Sequence, residues 1–471
     1  MKIENRTKIA VLAPGKNGKS SGSAPQTVTE KSLMVSSDMR IIGITHRIKQ
    51  KKDQTARPTL IAIREIDGTM QKFQLKTEQD ELDFLNGKCP IKWRVLTADE
   101  NISGIPEHQV IFRAAKDEDT LVQRHESQCR YKTKKARGEQ PATKELIEIA
   151  SEVPIAWIGL QRGDMVAMML GGSGDYFAYA LSRKLSDMAG VVVRIPPFKL
   201  DAARDSSAHK DDDALLLATL ASEKLDEFYE AKVRDRGIIR LRNEYRLRMD
   251  TMKARIGCEQ RLFQRHIGVT FCCEAGCFPE GSLIKDFEKL KTNDAVLQAL
   301  LAEEKAVEKR LIVAVEALDV YEKVFGPIKG IGPMIAARII NSVIDIRRFK
   351  TEAKFVKFLG LHVLSDGRFP RRRNGEVANW HPDGRQAMWL LGDQFLRQSD
   401  KTEWGRYLIA RKAALRTIHP EEVISEGGKK RYTKGHIQKM ALWRTLTRFA
   451  GFLYREWWKL EKSAAQASSK E

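Results

Sequence analysis

Met39-Arg40-Ile41-Ile42-Gly43-Ile44-Thr45-His46-Arg47, "MRIIGITHR", is the stretch on which the fold turns. Three isoleucines around one glycine make a short, β-branched apolar run, which suits a buried strand. A glycine inside a strand marks a place where another backbone comes close. The first polar position after the run is Thr45. Two more strand signals follow, "PTLIAIREI" and the alternating "TMQKFQLK". Together they predict a three-strand meander over Arg40–Ile48, Pro58–Ile66 and Thr69–Lys76, and "TEQDELDFLNG" predicts a short helix over Thr77–Gly87.

Outward from there, residues 88–150 read as a polar, irregular insertion. The dense positive run "RHESQCRYKTKKARGEQPATKE" suggests a segment that orders on nucleic acid. The sheet resumes in "GDMVAMMLGGSGDYFAYALSRKLSDMAGVVVRIPP": strand Met165–Leu170, a Gly-Gly-Ser-Gly turn, helix Asp175–Met188, and the wholly apolar strand Val191–Ile195, which suits a buried parallel position. "KDDDALLLATLA" opens a helix with acids at its N-terminus, where the helix dipole favours them.

The second half is helical. Ile238, Leu241, Tyr245, Met249, Met252, Ile256, Phe263 and Ile267 predict one long helix over Ile238–Ile267, and Leu297, Leu300, Val307, Leu311, Ala314 and Leu318 a second over Asp294–Tyr321. Joined by a Cys/Gly/Pro-containing loop, they predict an antiparallel coiled-coil hairpin, and its apolar stripes predict a homodimer. In that loop region Cys258, His266, Cys272, Cys273 and Cys277 crowd together without the paired spacing of a zinc site, so they read as structural. Beyond it, Gly330-Ile331-Gly332 with Pro333 between helical patterns is helix-hairpin-helix chemistry, in which glycine lets a phosphate approach the backbone and the next helix offers free N–H groups.

The chain has 471 residues, enough for two or three domains, and 82 Lys and Arg face 62 Asp and Glu, a formal charge of +20. That sign favours nucleic acid as a partner. No apolar run reaches the roughly 18 residues of a membrane span. The opening residues carry no signal-peptide core and six cysteines make no disulfide framework, so a cytoplasmic, nucleoid-associated protein of a prokaryote or virus is expected. The basic candidates for phosphate and base contact are Lys329, Gly330, Gly332, Arg338, Arg371, Arg372, Arg373, Arg385, Lys429, Lys430, Arg431, His436 and Arg444. Interleaved Tyr432, Tyr454 and Trp458 add planes for unpaired bases, whereas Trp443, Phe449 and Trp457 read as core.

These motifs resemble a known family. "MRIIGI", the strand–turn–helix at Met165–Met188, "KDDDALLLA", "IKGIGPMIAARIINSVIDIRRF" and "FLGLHVLSDGR" are similar to the DEDD-type insertion-sequence transposases that work with a bridge RNA. "KKRYTKGHIQKMALWRTLTRFAGFLYREWW" looks like the tail of Tas proteins, RNA-guided relatives that share the Nop domain of ribonucleoproteins. The resemblance spans roughly residues 38–460. It implies an α/β plus all-α chain: a disordered tail at 1–37, an RNase H/RuvC-like domain at 38–225, the coiled-coil hairpin at 226–322, a helix-hairpin-helix/Nop-like domain at 323–462 and a disordered tail at 463–471. It also implies a guide RNA and a target DNA as partners.

A RuvC-like nuclease needs about three or four carboxylates on two Mg²⁺ ions. Strand one offers Thr45, the middle strand ends Met169-Leu170-Gly171 without a glutamate, and only Asp211, Asp212 and Asp213 stand where acids belong. The expectation is a retained fold with a degraded site and no metal cofactor, Asp211 and Asp213 holding Mg²⁺ if any is bound. The transposase resemblance implies a second candidate catalytic residue, Ser365, with His362 and Asp366 beside it in the chain. The reading is therefore an RNA-guided DNA-binding protein without cleavage of its own. The rivals are a transposase cutting through Asp211, Asp213 and Ser365, and a Nop-like scaffold.

Overall fold

β1 (Ile41–Thr45) pairs antiparallel with β2 (Thr59–Arg64), and β2 with β3 (Met70–Leu75), so the meander forms as read. The computed structural model describes residues 39–48, 56–134, 143–204, 210–364, 369–371, 375, 378–424 and 430–468. The tail expected at 1–37 lies outside them. α1 (Glu78–Leu85) starts in a reciprocal cap: the Asp80 N–H donates to the Thr77 hydroxyl, and the Thr77 N–H to the Asp80 carboxylate.

The expected irregular insertion is instead a second sheet. β4 (Cys89–Val95), β5 (Ile111–Ala114) and β6 (Cys129–Lys134) all pair antiparallel with the long β7 (Thr143–Ile158). Leu96, Ile102, Val110, Ala150 and Val153 form its small core. Register shifts break the two-residue alternation of β7 against each partner, so no single face reads as apolar in the sequence.

The chain then returns to the first sheet. β8 (Met165–Met169) lies parallel to β1, α2 (Asp175–Asp187) crosses over, and β9 (Val191–Ile195) lies parallel to β8. α3 (Pro197–Ala203) and α4 (Asp213–Glu223) follow, and β10 (Tyr229–Glu230) closes the order β10-β9-β8-β1-β2-β3. Ile42, Ile44, Ile61, Ile63, Val166 and Met168 pack under Phe84 of α1 and Phe177, Leu181 and Leu185 of α2. On the other face Ile41, Met165, Ala167 and Val193 pack under Leu217, Ala218 and Ala221 of α4. Each Ile, Leu, Val, Met or Phe among them contributes roughly 1.5–3 kcal/mol by leaving water. Gly43 explains itself here: a Cβ at that position would stand 1.9 Å from the Ala214 carbonyl oxygen, so α4 lies directly on the β1 backbone.

α5 (Val233–Phe271), α6 (Leu283–Asn293) and α7 (Ala295–Glu316) make the helical hairpin, with α6 an addition to the two helices expected. The pairs Glu244–Arg310, Arg255–Glu304 and Glu259–Lys291 step in opposite directions along α5 and along the arm made of α6 and α7, which sets the two long helices antiparallel. Leu311, Val315 and Leu318 pack with Ile238, Leu241 and Tyr245 at the base, and Leu297 with Leu262 and Phe287 near the tip. The two apolar stripes therefore cover each other within one chain, and the stripes by themselves make no demand for a second copy.

A π-helical turn at Tyr321–Phe325 leads through Gly330 to α8 (Pro333–Val343), α9 (Glu352–Phe358), α10 (Pro382–Arg397), α11 (Glu403–Ile418), the ribbon of β11 (Val423–Ile424) and β12 (Lys430–Arg431), and α12 (Lys434–Ser468). The tail expected from residue 463 is helix as far as Ser468. Phe325, Ile340, Phe355, Leu391, Phe395, Phe449 and Trp457 fill this domain's core. Ile344, just past α8, has φ 65° and ψ −60°, and the Asp345 N–H donates to the Val343 carbonyl at 2.7 Å. That is a γ-turn of the strained hand, rare for a β-branched residue. It is held by the buried Asp345–Arg347 pair at 2.7 Å, and the Ile344 side chain reaches Gly171 of the first domain.

Candidate nucleic-acid interface

The acids that a metal-dependent nuclease would need do not converge. Asp211 pairs with Arg57 at 2.9 Å, Asp212 with Lys72 at 2.8 Å, and Asp213 bidentately with Arg204 at 2.9 Å. Each carboxylate is drawn to a different cation. At the end of β1 the Thr45 hydroxyl is buried without a hydrogen-bond partner among the described residues, and Leu170 is buried at the end of β8. Among the described residues no three His, Cys, Asp or Glu side chains gather as metal ligands, the cysteine-rich hairpin tip included. Among the described residues, these acids are not arranged to hold a magnesium pair. Ser365 lies outside the described residues, as do Arg372, Arg373 and Lys429.

The basic residues behave differently at the two ends of α10. At its C-terminal end, Lys329 is exposed, Gly330 takes φ 98° against Gln398 and Thr402, and Gly332 caps α8. At its N-terminal end sits Arg385, thirteen residues before Gln398 and so about 20 Å away along the helix. The two groups do not form one site. Arg338 joins neither: it turns onto α5, over the Tyr245 ring and toward the Met249 sulfur.

Arg385 is held between two indoles, its guanidinium carbon 4.6 Å from the centre of Trp380 and 4.9 Å from that of Trp443. Gly360, at φ 66°, permits this: a Cβ there would meet Trp380 at 2.8 Å and the Arg385 side chain at 3.0 Å. Trp389 and Phe369 each lie 5.8 Å from Trp443, and Trp389 is 43% exposed. Among the described residues, Nη1 of Arg385 is buried without a partner, as is Nδ1 of His362. Burial lowers the pKa of Arg385.

Cations ring this stack. His362 is shifted down by burial and then by Lys357 and Arg385, and His436 by burial and then by Arg431, Arg371, His419 and Lys439. His436, Lys439 and Trp443 share one stripe of α12. The Tyr432 N–H donates to Nδ1 of His436, and the Tyr432 ring is stacked between His419 at 3.8 Å and His436 at 5.7 Å. Arg444 is exposed on an adjacent face of α12, and Lys430 is exposed on β12. His381, by contrast, caps α10 by accepting from the Gly384 N–H.

None of Lys357, Arg371, Arg385, Arg431 and Lys439 is ion-paired to a described residue. Uncompensated charge therefore stands beside the exposed rings, the combination that binds phosphate and stacks bases. Trp389, Phe369, Lys357 and Lys439 escaped the sequence reading. The three- and four-residue steps from His436 to Trp443 were the available signal.

A phosphate near His362 and His436 would oppose the cationic part of their shifts. It favours the protonated form, so each pKa is higher in the complex than in the free protein, and binding takes up protons. Affinity for nucleic acid is expected to rise as pH falls from 7.5 to 5.5. Fluorescence anisotropy at constant ionic strength checks this, and the rise should disappear in the His362→Gln, His436→Gln double variant.

The sequence profile of the transposase IS116/IS110/IS902 family matches residues 323–366, which run from the π-helical turn through Gly330, α8 and α9 to the segment holding His362. No curated protein matches the chain. This domain is thus similar to a transposase over the segment that supplies one wall of the cationic stack.

Proposed function

We propose that the protein binds DNA in the manner of a transposase or recombinase, through the cationic aromatic face built on α9, α10 and α12. The unpaired Arg385 between Trp380 and Trp443 is the observation that carries this reading. The family match at 323–366 supports it independently. The sheet order, with β8 and β9 parallel to β1 and a meander on the far side, suits the RuvC-like domain that such proteins carry. The scattered acids argue against cutting by Asp211 and Asp213 with magnesium.

A second reading has this same face hold a guide RNA that addresses the target by base pairing. The exposed Trp389 favours it, because a ring open to solvent stacks on an unpaired base and has little use for a closed duplex. Binding isotherms for duplex DNA, single-stranded DNA and structured RNA, each at several salt concentrations, separate the two. Arg385→Ala should weaken binding roughly five- to a hundredfold and reduce the slope of log K against log salt by about 1. An unchanged isotherm for every probe would remove this face from the proposal.

A further inference from the structure

We propose that Ser173, His46 and Glu81 form a metal-independent nucleophilic relay that opens phosphodiesters at the carboxyl edge of the large sheet. The substrate class rests on the nucleic-acid reading above; the relay itself rests on geometry. The Ser173 hydroxyl lies 3.0 Å from Nδ1 of His46 and also 3.1 Å from the Arg47 carbonyl, to which it donates in the resting geometry. A turn about its Cβ–Oγ bond redirects the proton to His46, whose Nε2 lies 3.4 Å from Oε1 of Glu81. Glu81 is fixed in turn by the Thr59 hydroxyl at 2.5 Å and by Arg47 Nε at 3.1 Å. The side chains of His46 and Glu81 are 15% and 11% exposed, while Ser173 is open to solvent. A shielded base oriented by a carboxylate and an accessible hydroxyl is the arrangement that activates serine. Hydrogen bonds from His46, Thr59 and Arg47 outweigh burial and keep the Glu81 carboxyl below its usual range, hence charged.

The placement is that of a reactive serine. It sits on the abrupt turn from β8 into α2, where Gly171 and Gly172 take φ 85° and 91°. A serine raised on a strand-to-helix turn is exposed at the top of a sheet. β1 and β8 are parallel neighbours whose chains leave toward opposite edges, β1 toward β2 and β8 toward β9. The crevice between two such strands is where open sheets bind their ligands. α2 begins beside Ser173, and its first N–H groups, without helical acceptors, are available to a phosphoryl oxygen. Gly174 permits the approach of the base, because a Cβ there would lie 3.0 Å from that of His46. A cleft of about 380 Å³ lined by Arg47, Arg57 and Lys76 shares Arg47 with the relay.

The step balances without metal or redox partner. Ser173 Oγ forms a bond to phosphorus, and the bond from phosphorus to the leaving sugar oxygen breaks. The hydroxyl proton passes to Nδ1 of His46 and then to the leaving oxygen. A phosphoseryl ester and a free sugar hydroxyl result. Glu81 is a positioning residue, holding the tautomer with Nε2 protonated.

The test uses the full chain and a fluorophosphonate probe, whose phosphorus takes Ser173 Oγ as fluoride leaves and His46 accepts the proton. A mass adduct on the Ser173 peptide is expected. Ser173→Ala, a change at an exposed position, should abolish it. His46→Ala should slow it by about a hundredfold or more, with partial rescue by added imidazole, which a merely structural loss would not show. Glu81→Gln should slow it about tenfold, and Glu81→Asp should recover part of the rate. In a second arm, end-labelled DNA in EDTA should give a denaturant-resistant adduct on Ser173. No labelling, or labelling indifferent to His46→Ala, overturns the relay. Labelling with DNA bound but no DNA adduct overturns the assigned substrate. Labelling with no DNA binding at all overturns the functional reading and leaves the relay standing.

Discussion

Asp175→Ala is expected to lower stability by about 3–5 kcal/mol, the cost of breaking a buried ion pair from one side. Asp175 opens α2 and accepts from Arg194 of β9 through one oxygen and from Arg242 of α5 through the other. Arg246 stands 4.0 Å away. Asp175, Arg194 and Arg242 are 2%, 3% and 10% exposed. Burial lowers the pKa of Arg242, and the Asp175 carboxylate opposes that shift. Without Asp175, two guanidinium groups would face each other with no acid between them. Urea unfolding followed by far-ultraviolet circular dichroism should show the midpoint fall. Arg246→Ala, which removes a distant and half-exposed member, should change stability by less than about 1 kcal/mol. A small loss for Asp175→Ala would mean that water enters the junction and that the sheet and hairpin are not locked there.

Gly43→Ala should be nearly as damaging despite adding one carbon. Its Cβ would lie 1.9 Å from the Ala214 oxygen and 2.7 Å from the Ala218 nitrogen. Both are backbone atoms of α4, so no rotamer change relieves the contact. α4 must lift from β1, and Ile41, Met165, Leu217 and Ala218 lose their shared packing. Overpacking typically costs about 1–3 kcal/mol, and an immovable backbone places this case at or above the upper end. Hydrogen exchange of β1 and α4 amides should accelerate by about a hundredfold, with the C-terminal domain unaffected. Equal acceleration in both domains would show that they unfold together.

The meander, the β8–α2–β9 unit and the two long helices were legible because each is a local pattern: β-branched runs, a glycine turn, three- and four-residue steps. The small sheet was not. Its partners meet β7 through register shifts, so the alternation that announces a strand is broken. The cationic aromatic stack was half legible. Arg371, Arg385, Arg431 and His436 were named from charge and aromatic company, but only folding shows that Arg385 lies between two indoles while Arg338 turns away onto α5. Lys329, Gly330 and Gly332 looked like neighbours of Arg385 in function and sit at the other end of α10. The relay was invisible, since Ser173 and Glu81 reach His46 from positions 127 and 35 residues distant that share no motif. The sequence did not show that Arg204 pairs with Asp213.

α5 stops touching the C-terminal core near Met249 and continues to Phe271. Those 22 residues extend about 33 Å at the helical rise, close to one full turn of B-form duplex. With the duplex lying along the hairpin, its end would meet the same side of the double helix as the domain that carries it, one repeat further on. The molecule would thus have the dimensions of a ruler with a single graduation, and inserting or deleting one heptad in both arms would move that mark by about 10 Å, a third of a turn around the DNA.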